Sequence, residues 1–152
     1  MGAKYNVLID NGEIYRLVTA GFLHGGIIHL LFNMAALKSI GEDIEIYYGK
    51  IKYLIIYFLS LIGGTLASYI FSKNSVSVGA SGAIFGLLGA TLIFAIKNKE
   101  KVSKKYFKSI VEVIVLNVLI GLSLSNIDNY AHLGGLLSGS IISFVIYRRK
   151  NN

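Results

Sequence analysis

The chain has 152 residues, 54% of them hydrophobic and only 15% charged, with a formal net charge of +7 and neither cysteine nor proline. So apolar a composition excludes an ordinary soluble domain, and the lack of cysteine excludes disulfides and thiol chemistry. The basic residues gather in short segments between apolar runs, a distribution that argues against a nucleic-acid surface.

The opening stretch "MGAKYNVLIDNGEIYR" is polar and lacks the apolar core of a cleavable signal peptide. Beyond it, Leu17 to Leu37, Tyr53 to Phe71, Val76 to Ile96, Val113 to Ile127 and Asn129 to Tyr147 contain no Lys, Arg, Asp or Glu. A helix crosses the hydrocarbon core with roughly 20 apolar residues, and about 17 can suffice. The runs therefore predict an all-α, polytopic membrane protein. Its single domain, 1–152, has five spanning helices at about 20–38, 53–71, 78–96, 108–125 and 130–147. Continuous rather than alternating apolar runs argue against a transmembrane barrel.

Charge sets the expected orientation. Lys38, Lys50 and Lys52 occupy the first connection, Lys97, Lys99, Lys101, Lys104, Lys105 and Lys108 the third, and Arg148, Arg149 and Lys150 the end. These segments share one side of a five-helix chain. The opposite side keeps only Lys4, Arg16 and Lys73, so the amino-terminal segment is expected outside and the carboxyl terminus in the cytoplasm.

Polar residues within the runs carry the chemical information, because an unpaired polar group is costly in hydrocarbon. His29 and Asn33 are four apart and share one helix face, and His24 lies about a turn nearer the outer end. In "VSVGASGAIFGLLGATLIFAI" a lone serine, Ser81, opens an apolar run, and His132 stands near the start of the last run. Gly82, Gly86 and Gly89 line one face of the Ser81 helix, and Gly135 and Gly139 one face of the His132 helix. Such small-residue stripes let membrane helices approach closely, although alone they signal only packing. Pairing them brings Ser81 and His132 toward hydrogen-bonding distance, as nucleophile and base. Ser81 also sits at a helix amino terminus, where free N–H groups favour negative charge. The sequence is no nucleophile elbow, since Gly-x-Ser-x-Gly would need glycine at position 83, which is Ala83. Asp128 is expected to cap the last helix and Glu112 to pair with Lys108. The histidines have no carboxylate or cysteine companions at ligand spacing, so no metal and no cofactor is expected. One rival reading is a proton path through His24, His29 and His132 in a transporter.

Three stretches in order, "GEIYRLVTAGFLHGGIIHLLFNMAAL", "GASGAIFGLLGA" and "IDNYAHLGGLLSG", resemble the first loop and second helix, the nucleophile helix and the histidine helix of the rhomboid intramembrane serine proteases. The resemblance covers nearly the whole chain and implies a rhomboid-like helical bundle. By it, Ser81 is the nucleophile and His132 the general base of a dyad. His29 and Asn33, with the Ser81 backbone N–H, line the oxyanion hole; Gly79 shapes the turn; Phe85 packs on the catalytic imidazole; Arg16 ties the loop. Tyr15-Arg16 stands where the family often has Trp-Arg. The family's bacterial core has six helices, and the first has no counterpart in this sequence. The implied activity is cleavage of transmembrane-helix substrates near the outer face of the cell membrane, by an enzyme whose partners are those substrates and the lipid bilayer. The alternative is an impaired relative that only binds transmembrane helices. Oligomeric state and physiological substrate do not follow from the sequence.

Overall fold

In the computed structural model, which describes residues 2–124 and 126–147, the chain runs α1 (Asn6–Asp10), α2 (Arg16–Thr19), a 3-10 turn (Ala20–Phe22), α3 (Ile27–Tyr48), α4 (Lys50–Phe71), α5 (Ser81–Lys97), α6 (Lys104–Ser123) and α7 (Asn129–Ile146). No strand forms among the described residues; the one isolated bridge is antiparallel, between Lys4 and Ser77. The basic residues Arg148, Arg149 and Lys150, and Ser125 at the end of the fourth expected span, lie outside the described residues.

Helices α4, α6 and α7 are each long and apolar enough to cross a membrane, and α2 with α3 makes a fourth candidate only as a bent pair. The expected helix start at residue 20 is corrected here. The short helical segment Arg16–Phe22 meets α3 at 94°, and His24 lies in the non-helical link rather than on the helix. Two adjacent glycines explain the break: Leu23 and Gly26 are extended, and the helix resumes only at Ile27. The third expected span, 78–96, corresponds to α5, whose 17 residues rise about 25 Å against a hydrocarbon core of about 30 Å.

Helix α5 is the axis of the bundle. It packs against α7, α4 and α3, and every residue from Gly82 to Thr91 is buried. The contact with α7 is backbone to backbone. A Cβ added at Gly135 would lie 2.7 Å from the Gly82 carbonyl carbon, and one at Gly139 would press on the backbone of Gly86. The packing extends to a third helix that the glycine pattern did not announce, since a Cβ at Gly134 would stand 2.8 Å from Gly63 O and 3.2 Å from Gly64 Cα on α4. At the other end, Ile44, Tyr48, Ile56, Leu87 and Ala90 form an apolar core, and the Tyr48 hydroxyl meets Ser143 Oγ at 2.6 Å within it.

Helix α6 stands apart. Only Ile110 and Gly121 are buried along it, and its polar ties lie near its ends, from Tyr106 OH to Asp43 (3.3 Å) and from Asn129 Nδ2 to Gly121 O (2.9 Å). Lys108 and Glu112 pair at 3.5 Å on its exposed face.

Gly139→Ala forces a methyl into the Gly86 backbone and should destabilise the bundle by about 1–3 kcal/mol, because neither backbone can yield without parting α5 from α7. Gly26→Ala, with open space around its added Cβ, is the matched control. Thermal unfolding of both variants in mild detergent checks this; equal midpoints would contradict the packing argument.

Candidate active site

The site forms where α5 and α7 begin. The Gly79 backbone has φ +128°, a conformation that L side chains rarely adopt, and its N–H donates to Ala20 O at 2.9 Å. The chain then enters α5 at Ser81, whose own N–H and the next two belong to a helix start and have no carbonyl one turn back. On α7, Asp128 caps the helix by accepting from Ala131 N at 3.0 Å, which fixes the first turn and with it His132.

These two helix starts bring His132 Nε2 and Ser81 Oγ to 2.9 Å. The imidazole lies nearly parallel to the Phe85 ring, with centroids 4.2 Å apart and planes 14° from each other. Glycine contact below the pair holds the helices at this separation, so the hydrogen bond and the packing have one cause. Asp128 does not extend the pair to a triad: its carboxylate accepts from Ala131 N and from Ser68 Oγ on α4, while His132 Nδ1 is buried with no hydrogen-bond partner among the described residues.

From α3 come His29 and Asn33, both aimed at the turn before Ser81. A Cβ on Gly79 would lie 2.9 Å from His29 Nε2 and 3.5 Å from Asn33 Nδ2, so only a glycine leaves room for both. His29 Nδ1 accepts from Gly25 N–H at 3.3 Å. In the neutral ring the proton then sits on Nε2, as a donor facing the turn. Asn33 Nδ2 is a buried donor without a partner among the described residues. Two free donors therefore converge on the Gly79 turn that leads into the start of α5 at Ser81. His24 contributes no bond to that turn; its ring meets the edge of His29 at 5.2 Å.

Arg16 is buried above the site. Its guanidinium pairs with Glu13 at 2.7 Å and donates to Ala3 O at 2.9 Å, which ties the amino-terminal segment to α2. The Tyr15 hydroxyl, and then Arg16, hold the Glu13 carboxyl below the usual carboxylate range. This tie therefore acts above the ordinary carboxyl pKa and is lost as pH falls through the depressed value. Lys4, Ser68 and the Ala20 carbonyl were not singled out by sequence reasoning. Their partners lie 68, 60 and 59 residues away, at Ser72, Asp128 and Gly79, beyond any local pattern. Among the described residues no cluster of His, Cys, Asp and Glu is arranged to hold a metal ion.

The helices define a multi-pass membrane protein with a serine and a histidine in contact at the head of its central helix. The Rhomboid domain family model matches residues 11–149, and the chain belongs to the rhomboid family. It is 46% identical over 138 residues to the rhomboid protease GluP of Bacillus subtilis, covering 91% of this chain and 27% of that protein. It is 37% identical over 147 residues to the putative rhomboid protease YdcA of the same organism, covering 96% of this chain and 74% of YdcA. Similarity to RHOMBOID-like protein 1 of Arabidopsis thaliana is 38% over 152 residues, 98% of this chain and 39% of that protein. The chain thus spans between a quarter and a half of the length of GluP and of RHOMBOID-like protein 1.

Because the Asp128 carboxylate serves the helix cap and Ser68, Asp128→Ala should lower stability by about 0.5–2 kcal/mol while leaving the reactivity of Ser81 within a few fold. Thermal unfolding measured beside labelling by a serine-reactive probe checks both halves. A loss of labelling as deep as that from His132→Ala would make Asp128 a third catalytic member.

Proposed function

We propose that this chain is an intramembrane serine endopeptidase in which Ser81 attacks a peptide carbonyl and His132 is the general base. The observation that carries the reading is the 2.9 Å contact of His132 Nε2 with Ser81 Oγ beside free donors from His29 and Asn33.

His132 Nε2 takes the Ser81 proton as Oγ bonds to the carbonyl carbon, then passes it to the leaving amine; water enters next and releases the acyl group from Ser81 by the same route reversed. The carbonyl oxygen gains a full negative charge in the tetrahedral intermediate. Ser81 N–H, His29 Nε2–H and Asn33 Nδ2 are the donors that meet it, and removing one such donor typically costs about 2.7–4 kcal/mol. Phe85, stacked on the imidazole, limits its rotation and keeps Nε2 toward Ser81.

Substrates of this enzyme are transmembrane helices. A helical peptide bond is shielded by its own backbone bonds, so cleavage needs local unwinding, which Gly, Pro or polar residues near the end of the substrate helix make cheap. The short α5 supports a site below the membrane surface, because a helix of 17 residues whose other end reaches the basic loop begins inside the hydrocarbon layer. By the lysine distribution that depth lies in the outer half, with the carboxyl terminus cytoplasmic.

Fluorophosphonate labelling of the purified chain in mild detergent tests the reading. Ser81→Ala and His132→Ala should abolish labelling, and His29→Ala or Asn33→Ala should slow it by about 10²–10³-fold. An unlabelled but monodisperse and helical wild-type chain would favour a helix-binding relative without hydrolytic activity.

A further inference from the structure

The nine residues Ser72–Ala80 connect α4 to the nucleophile helix, and their position fixes where the Ser81 N–H points. A free segment of this length closes many conformations, and each must be excluded if the turn at Gly79 is to face His29 and Asn33. Three attachments hold it. Two come from one residue, Lys4, and the third is the bond from Gly79 N to Ala20 O.

Lys4 is fully buried. Its ammonium donates to Ser72 O at 2.6 Å, to Ser75 O at 3.2 Å and to Ser75 Oγ at 3.2 Å, which uses all three of its protons. Ser72 is the carboxyl-terminal cap of α4, where unpaired carbonyls and the helix dipole favour a cation. The Lys4 backbone meanwhile exchanges both bonds with Ser77, N to O and O to N, each 3.0 Å. Lys4 is itself held from the far side, since Ala3 O accepts from Arg16 and Gly2 O accepts from Thr19 Oγ1 at 2.7 Å. A continuous line of bonds thus runs from α2 through residues 2–4 into the segment that ends at Ser81.

We propose that Lys4 is a positioning residue for the oxyanion-binding turn: its ammonium clamps Ser72–Ser75 so that Gly79 and the Ser81 N–H stay registered against His29 and Asn33. The inference rests on the reading of Ser81 and His132 as a catalytic pair. It separates two supports, because the glycine contacts of α5 with α7 hold Ser81 Oγ to His132 without Lys4, whereas the turn above them has no packed helix of its own.

The test uses the full chain in mild detergent and a fluorophosphonate probe, with inactivation resolved into probe affinity and a maximal rate. In Lys4→Ala the maximal rate should fall by ~10- to 100-fold with affinity little changed, as expected for a misplaced donor set. Propylammonium replaces the excised part of the side chain and should restore much of that rate, while tetramethylammonium, charged but without N–H donors, should not. Lys4→Met fills the space and should stay slow with either ion. Hydrogen exchange should quicken at residues 72–80 of Lys4→Ala and remain unchanged along α5 and α7. An unaltered rate or unaltered exchange in that segment overturns the proposal. So does a slow variant that propylammonium fails to rescue and that unfolds globally at lower temperature, which would make Lys4 structural only. If the wild-type chain takes no label, the catalytic-pair reading fails by itself; the clamp then stands or falls on whether exchange at 72–80 responds to Lys4→Ala and to propylammonium.

Discussion

The backbone contact between α5 and α7 governs this molecule. Gly82 against Gly135 and Gly86 against Gly139 bring two helices closer than any side chain would allow, and Gly134 adds α4 through Gly63 and Gly64. In lipid there is no hydrophobic gain from hiding one apolar helix against another, so close packing and polar contacts must supply the association. Glycine supplies the first by letting backbones touch. Everything chemically suggestive in the chain hangs from that contact, since a wider separation would part Ser81 from His132 before it disturbed any other bond.

Most polar groups deeper in the bundle obey the opposite rule from those at the site. Tyr48, Ser143, Thr65, Thr91 and Ser140 all find partners, most of them backbone carbonyls one turn away or on the neighbouring helix. At the head of α5 the pattern reverses: Asn33 Nδ2, His24 Nε2 and His132 Nδ1 are buried without partners among the described residues. An unsatisfied buried polar group costs about 1–3 kcal/mol, and three of the five among the described residues, the others being Asn6 Oδ1 and Ser60 Oγ, gather around this end of the bundle. The same low dielectric that makes them costly would make them effective toward a charge that appears only during reaction.

Much of this was legible in the sequence, and the limits are physical. Charge-free runs announced the long helices because a bilayer leaves little choice of structure. Glycines at helical spacing announced the α5–α7 contact, and the polar residues stood out because so few interrupt the runs. The link at residues 23–26 was not legible, for no charge interrupts the run there, and only the Gly25-Gly26 pair hints at the 94° bend. Gly63 and Gly64 were passed over because adjacent glycines make no stripe. Lys4 was read as one of a few charges on the less basic side. Its burial depends on Ser72, Ser75 and Ser77, residues that look like an ordinary polar loop until the fold brings them together.

The architecture divides its work between two kinds of order. Below, glycine packing fixes distances that are insensitive to water because only backbone is involved. Above, the turn that would bind a developing oxyanion is assembled from loop segments by hydrogen bonds of three buried groups, Arg16, Lys4 and the Ala20 carbonyl. Under the proposed activity a peptide would have to enter, unwind and leave through that upper layer, which then cannot be as rigid as the bundle. Hydrogen bonds suit it, because each contributes about a kcal/mol and can be remade, whereas a glycine contact once parted takes the whole helix pair with it. The position of Ser81 at the boundary of the two layers, its Oγ set by the bundle and its N–H by the loops, follows from placing the start of α5 directly after the Gly79 turn.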